Sequence, residues 1–278
     1  MIEFEVSQHG AELQSLRRAG REYLWQGDPA YWGRRAPILF PSVGRPFEDT
    51  VRFGGKAFTM KQHGFARDAE FVPSERGLRM TGEHPNYPYQ FDLYANYVAQ
   101  GDSLHCRWSV VSRQEAPMFF QIGAHPAFLL PDYKADDPVH GYFLLLDAKG
   151  KEVRPMVTTQ VVHGVGSRAF LPEPRQIESR IPITGGTFQN DAILIENGQV
   201  ASVALLDKSG ARVLTVHCPQ AQAYGLWAPV KPGCPFVCIE PWCGIADRDG
   251  FRGDFSEKDF VHRLGAGEEY LFEYVIEL

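Results

Sequence analysis

Four short stretches of the sequence set chemically capable side chains among aromatic or apolar residues, beside Gly or Pro. In Gln62-His63-Gly64-Phe65-Ala66-Arg67-Asp68 a histidine and an arginine flank a glycine. A loop or short turn can aim both at one side, and the glycine lets the backbone approach a ligand closely. The plainer alternative is a surface turn in which Arg67 pairs with Asp68 or Glu70. In Ile122-Gly123-Ala124-His125-Pro126-Ala127-Phe128 the histidine has small or apolar neighbours, and the proline biases it toward extended backbone. His125 is then either a hydrogen-bonded core residue or a group aimed into a pocket. In Phe236-Val-Cys-Ile-Glu240-Pro241-Trp242 a carboxylate ends an apolar run. Carboxylates are almost never fully buried unless paired, so Glu240 is expected at the mouth of a site. Trp242 and Trp227 offer flat apolar faces for a ligand ring. The fourth stretch, Phe188-Gln-Asn190-Asp191-Ala192, is also an ordinary turn signal, because Asn-Asp favours turns.

A histidine and a carboxylate in one pocket make an acid/base pair. Near neutral pH an unperturbed Glu is ionised and accepts a proton, while His lies near its midpoint. A neighbouring carboxylate is expected to raise the histidine pKa, making the imidazolium a proton donor. Two groups held in opposite protonation states are what proton shuffling needs.

The elements that must position these groups read as strands. Ile2, Phe4 and Val6 alternate with polar residues, as do Leu104, Cys106, Trp108 and Val110, and again Tyr270, Phe272, Tyr274 and Ile276. Period-two alternation puts one strand face on a core. Turn signals predict hairpins at 144–154, at 203–216 around Asp207-Lys-Ser-Gly210, and at 52–60 around Gly54-Gly55. Residues 11–18 followed by Glu22-Tyr-Leu-Trp25 predict another. No stretch carries a sustained helical stripe, so any helix should be short. Residues 131–141 and 171–186 read as long loops, and strand-like alternation resumes after each. The expected architecture is all-β: a single domain over 1–278, built as a large antiparallel β-sandwich.

Composition narrows the partners. The 278 residues carry 28 basic and 34 acidic side chains, a net charge of −6, which argues against a nucleic-acid partner. No run approaches the ~20 apolar residues of a membrane span. Glu3 and Glu5 near the start, with no apolar segment, do not read as a secretory signal. Five cysteines, an odd count in a long chain, fit reduced thiols and a cytoplasmic location. Phosphate-binding Gly-rich loops and the G-x-S-x-G nucleophile signal are missing. Cys234, Cys238 and Cys243, with His217-Cys218 upstream, fit zinc spacing poorly, and Cys238 sits inside an apolar run. No metal is expected.

In chain order, Ala36–Pro41 with Gly44-Arg45, His63–Arg67, Gly123–Phe128, Asn190-Asp191, Ile239–Trp242 and Leu264–Glu268 resemble the aldose 1-epimerase (galactose mutarotase-like) superfamily, most closely its LacX-like bacterial branch. The resemblance covers essentially the whole chain. It implies a β-supersandwich with a sugar-binding cleft, and interconversion of the α and β anomers of an aldose. By motif it implies Glu240 as general base and His125 as general acid. His63 and Arg67 correspond to the substrate-holding pair, Asp191 to a hydroxyl ligand, and Arg45 to an early arginine of the family. Trp242, with Trp227, Phe65 and Phe128, is expected at the cleft walls. No cofactor is implied. The partner expected is a small-molecule aldose or sugar phosphate, acted on by a monomer or homodimer. Two alternatives remain at this level. One is a hexose-6-phosphate 1-epimerase, which would need several of Arg34, Arg35, Arg45 and Arg67 to converge. The other is a non-catalytic sugar-binding or sensing module on the same fold.

Overall fold

The computed structural model describes residues 1–278. Its regular elements are strands and three one-turn 3-10 helices, at Phe47–Asp49, Ala66–Asp68 and Phe255–Glu257. The all-β expectation holds. No helix is long and apolar enough to cross a membrane.

The alternating segments build the larger sheet. Its nine antiparallel strands run in the order Arg180–Ile183, Gly141–Leu146, Ser202–Leu206, Arg212–His217, Glu269–Glu277, Ser103–Ser112, Tyr87–Gln100, Gly77–His84 and Val72–Ser74. Register carries the sequence pattern across the sheet: Leu104, Cys106, Trp108 and Val110 lie opposite Ile276, Tyr274, Phe272 and Tyr270. Trp108 stacks on Phe272 with ring centroids 5.3 Å apart. Such cross-strand pairs, buried on one face, stabilise the sheet and pin its register.

The smaller sheet carries the chemistry. Ile193–Glu196, Ala223–Trp227, Phe236–Cys243, Ile122–Ala124 and Ile38–Leu39 pair in that order, and Ala127–Leu129 also pairs with Phe236–Cys243. The central strand Phe236–Cys243 is buried on both faces, which explains its unbroken apolar look. Val237, Ile239 and Cys243 join the main core between the sheets. Phe236, Cys238, Glu240 and Trp242 share the other face, because successive side chains alternate.

Two local expectations need correction. Residues 171–186 are not a loop: Arg168–Gln176 pairs with Met156–Val161, and Arg180–Ile183 edges the large sheet. Pro172, Pro174 and Pro182 disguised these strands, and prolines are tolerated where a strand has a free edge. In the 144–154 hairpin the second arm shrinks to a single bridge between Leu146 and Glu152. The hairpins at 52–60 and 203–216 form as read, and the one expected from 11–18 and 22–25 forms between Leu13–Arg18 and Arg21–Glu22. All five cysteines are free thiols.

Candidate active site

The strand Phe236–Cys243 forms the floor of a cleft of about 400 Å³, lined among others by Trp32, Arg45, His63, Arg67, His125, Asp191, Trp227, Glu240 and Trp242. That volume is in the range of small-molecule sites. Glu240 was expected at a strand end and at the site mouth. The strand instead continues through Pro241 to Cys243, and Glu240 lies on the cleft floor, 1% exposed. Gly225 is its neighbour on the adjoining strand.

His125 comes from a break between two short strands. Gly123 pairs with Trp242 and Ala127 with Cys238, so a single register runs through both and sets His125 opposite Glu240. Its Nε2 lies 3.1 Å from Glu240 Oε2, an ion-pair distance without hydrogen-bond alignment. Nδ1 of His125, Oε2 of Glu240, Nε1 of Trp242 and Nε of Arg67 are buried without a hydrogen-bond partner. Unsatisfied buried polar atoms are rare in folded proteins. All four belong to residues that line the cleft.

Burial, not the neighbouring carboxylate, governs the titration of this pair. The His125 pKa is pushed down to about 3 by desolvation, with the positive charges of Arg67 and Arg34 adding to it. Glu240 is pushed well above its ordinary value, first by desolvation and then by the Asp191 carboxylate, while the Trp242 indole opposes. The expectation that the carboxylate raises the histidine pKa is therefore reversed. A low-dielectric site disfavours both charged forms, which favours the carboxylic acid and the neutral imidazole.

His63 is fixed by Gly44. The His63 N–H donates to Gly44 O at 2.8 Å, and the Gly44 N–H donates to His63 Nδ1 at 3.1 Å. Nδ1 is thus an acceptor, and the neutral ring carries its proton on Nε2. Gln62 Nε2 stands 3.2 Å from His63 Nε2, and with the ring proton on Nε2 the amide pairs with it once turned so that its oxygen accepts. Burial and the charges of His125, Arg67 and Arg34 hold His63 well below its usual pKa. The ring meets His125 edge to face at 5.4 Å. His63 and Asp191 both take positive φ, +67° and +71°, an uncommon backbone state for residues with a side chain.

Arg67 follows on the 3-10 turn Ala66–Asp68. The surface-turn alternative fails, because Asp68 pairs with Arg34 and Glu70 with His9. Arg67 donates to Gln62 O and has no carboxylate partner. Desolvation lowers its pKa to about 10. Arg45 differs: Nε and Nη2 both donate to Asp49 at 2.8 Å, so its charge is balanced within the loop.

Residues 2–277 match the family described as Aldose 1-epimerase. The chain belongs to the aldose 1-epimerase family. It is 28% identical over 253 residues to the plasmid LacX protein of Lactococcus lactis subsp. lactis, covering 85% of this chain and 83% of that protein. Among solved structures it is similar to the galactose mutarotase related enzyme of Lactobacillus acidophilus. There the TM-score is 0.88 and the identity 30%, over 100% of this chain and 94% of that one. A galactose mutarotase-like protein of Lactobacillus casei gives a TM-score of 0.85 at 27% identity, over 99% and 96%.

In this aldose 1-epimerase family member the cleft gathers all seven residues singled out from sequence: Arg45, His63, Arg67, His125, Asp191, Glu240 and Trp242. Of the four aromatic walls expected, Trp227 and Trp242 line it, and Phe65 and Phe128 do not. Phe128 lies opposite Val237, whose side chain faces the core, and is fully buried there. Phe65 turns away to stack on His84, with centroids 3.7 Å apart. Trp32 was not read from sequence. It stacks on the His125 ring at 4.8 Å and 26°, and meets Trp227 edge-on at 5.7 Å. Its loop is held by Trp25 Nε1, which donates to Trp32 O, and by Lys231 Nζ, which donates to Ala30 O and Tyr31 O. A tryptophan between Pro29 and Gly33, in a turn too polar to bury it, was the available signal.

Proposed function

We propose that this protein is an isomerase that interconverts the α and β anomers of a free hexose, with Glu240 and His125 as its acid/base pair. The carrying observation is the pair itself, two buried groups 3.1 Å apart facing one cleft. Together they hold one proton, the inventory the reaction requires.

When the anomeric hydroxyl of a cyclic sugar donates to the Glu240 carboxylate, the shared proton rests on His125 Nε2. Glu240 takes the hydroxyl proton as the C1 carbonyl forms. The bond from C1 to the ring oxygen breaks, and His125 gives its proton to that oxygen. Rotation about C1–C2 turns the other face of the aldehyde to the ring-forming hydroxyl. Return of both protons closes the opposite anomer, leaving the pair as it began. Each well-placed acid or base contributes roughly 10²–10⁴-fold. The steps are proton transfers, and His63, Arg67 and Asp191 position the sugar by its hydroxyls. Trp32, Trp227 and Trp242 supply the apolar surfaces against which a sugar ring packs.

A free sugar suits this cleft better than a sugar phosphate. Phosphate recognition calls for converging unpaired cations. Here Arg45 is paired with Asp49 and Arg34 with Asp68, and Arg35 donates to Gln14, leaving Arg67. The description of the Lactobacillus acidophilus protein as a galactose mutarotase related enzyme supports the same reading. Val72–Ser74 and Glu269–Glu277 share the large sheet, and Ile38–Leu39 and Phe236–Cys243 the smaller one, which supports a single domain over 1–278. Free thiols accord with a cytoplasmic setting. Polarimetric equilibration of freshly dissolved glucose and galactose, beside their 6-phosphates, tests the proposal. The free sugars should equilibrate faster with protein than without it; no acceleration of any of them refutes a mutarotase.

A further inference from the structure

Beside the acid/base pair lies a thiol that the proposed reaction does not use. Cys238 precedes Glu240 by two residues on one strand, so both side chains leave the same face. It is paired with Ala127 on one side and Trp227 on the other. The ligand atoms of His125, Cys238 and Glu240 all lie within 4.8 Å of one another, and all three residues are buried. The cysteines that sequence spacing grouped with Cys238 do not join it in this cluster. Cys243 leaves the opposite face and donates to Gln220 O, and Cys234 donates to Phe236 O.

We propose that His125, Cys238 and Glu240 form a chelating site for a thiophilic divalent cation, zinc or cadmium, and that its occupation switches the cleft off. The inference rests on the assignment of His125 and Glu240 as the acid/base pair. One imidazole nitrogen, one thiolate and one carboxylate are a donor set zinc accepts, with a fourth position open toward the cleft for water or a sugar hydroxyl. The 3.1 Å between Nε2 and Oε2 suits two bonds of ~2 Å meeting at a tetrahedral ion, which draws the sulfur inward.

Binding balances without any redox change. The S–H bond of Cys238 and the O–H bond of Glu240 break, two protons leave to solvent, and one dication takes their place. The net charge of the buried site is the same before and after, so burial of the cation is compensated locally. The ion then occupies the lone pairs of both groups that move protons, and anomerisation stops until a chelator removes it.

The test uses the full-length protein freed of metal by dialysis against a chelator. Cadmium is titrated by its thiolate charge-transfer absorption and zinc by competition with a chromophoric chelator. The proteins compared are wild type, Cys238→Val and, with smaller volume, Cys238→Ala; Cys234→Ser is the control. Wild type and the control should take up one equivalent, and loss of Cys238, a direct ligand, should weaken binding at least ~100-fold, the top of the range for loss of an outer-shell partner. Zinc should inhibit wild-type anomerisation reversibly, while the Cys238 variants keep basal activity and lose the sensitivity. Failure of wild type to bind an equivalent, equal zinc sensitivity in the Cys238 variants, or activation by zinc overturns the proposal. Metal uptake that depends on Cys238, in a protein that never speeds anomerisation, supports the site and refutes the mutarotase reading instead.

Discussion

Glu240 and His125 stand directly opposite each other across two neighbouring antiparallel segments, although only Glu240 belongs to a strand. The strand on the histidine side breaks at His125-Pro126 and resumes in the same register. The break takes the His125-Pro126 backbone out of the regular strands, while the flanking pairs fix its place opposite Glu240. Nε2 is thereby held 3.1 Å from a carboxylate oxygen in a site that nearly excludes water.

The protonation of this pair sets the pH profile. Below a pH of about 3, His125 gains a second proton for the pair; far above the ordinary carboxylate range, Glu240 gives up the only one. The proposed reaction needs one. The ratio kcat/KM, which reports ionisations of the free protein, should therefore have its acid limb far below the usual histidine value of 6.5. An acid limb centred near 6.5 would show that His125 titrates as an exposed histidine.

The same burial makes Glu240 costly to stability. Its folded pKa is raised above the ordinary 4.5, so between those values the folded state holds a proton that the unfolded state has lost. Stability then falls as pH rises from about 4.5 toward the raised value. Glu240→Gln removes the titration while keeping the shape. Its urea midpoint should exceed that of wild type at pH 7, and the two should converge near pH 4. A variant less stable at pH 7 would contradict the assignment of a neutral, strained carboxyl.

Trp32 covers His125 and, in the proposed reaction, helps form the wall that faces the sugar. Trp32→Ala should cost about 1 kcal/mol of sugar binding, raising KM roughly fivefold with a much smaller change in kcat. Trp32→Phe should recover most of the loss. Unchanged KM in the alanine variant would remove Trp32 from the site.

Gly64 joins His63 to the turn that carries Arg67. Its φ is +70°, and a Cβ there would collide with the Phe40 carbonyl. Gly64→Ala should cost about 2–5 kcal/mol, from the left-handed backbone and the overlap together. Denaturant titration measures it, and a loss under about 1 kcal/mol would mean the turn can open without strain.

How far the sequence discloses this arrangement follows from the range of the interactions. Alternation at 104–110 and 270–276 is legible because burial repeats every second residue within one strand. His125 and Glu240 are legible as polar interruptions of apolar runs, but their opposition is set by pairing between segments more than a hundred residues apart. Trp32 is hidden for a similar reason, since Trp25 and Lys231 aim its loop. The direction of the pKa shifts is also not local. Charge proximity suggests a raised histidine pKa; the depth of the cleft, which only the assembled sheet creates, lowers it. Arg45 lines the cleft, and its pairing with Asp49 depends on a turn in which Glu48 and Asp49 take positive φ.

In the proposed reaction Glu240 is the group that takes the anomeric proton. Time-resolved polarimetry or NMR exchange spectroscopy of Glu240→Gln, alongside isothermal titration with the same sugar, tests this most directly. The variant should bind the sugar within severalfold of wild type and equilibrate its anomers ~10²–10⁴-fold more slowly, the contribution of one positioned base. Equilibration as fast as wild type, with sugar binding intact, would contradict it.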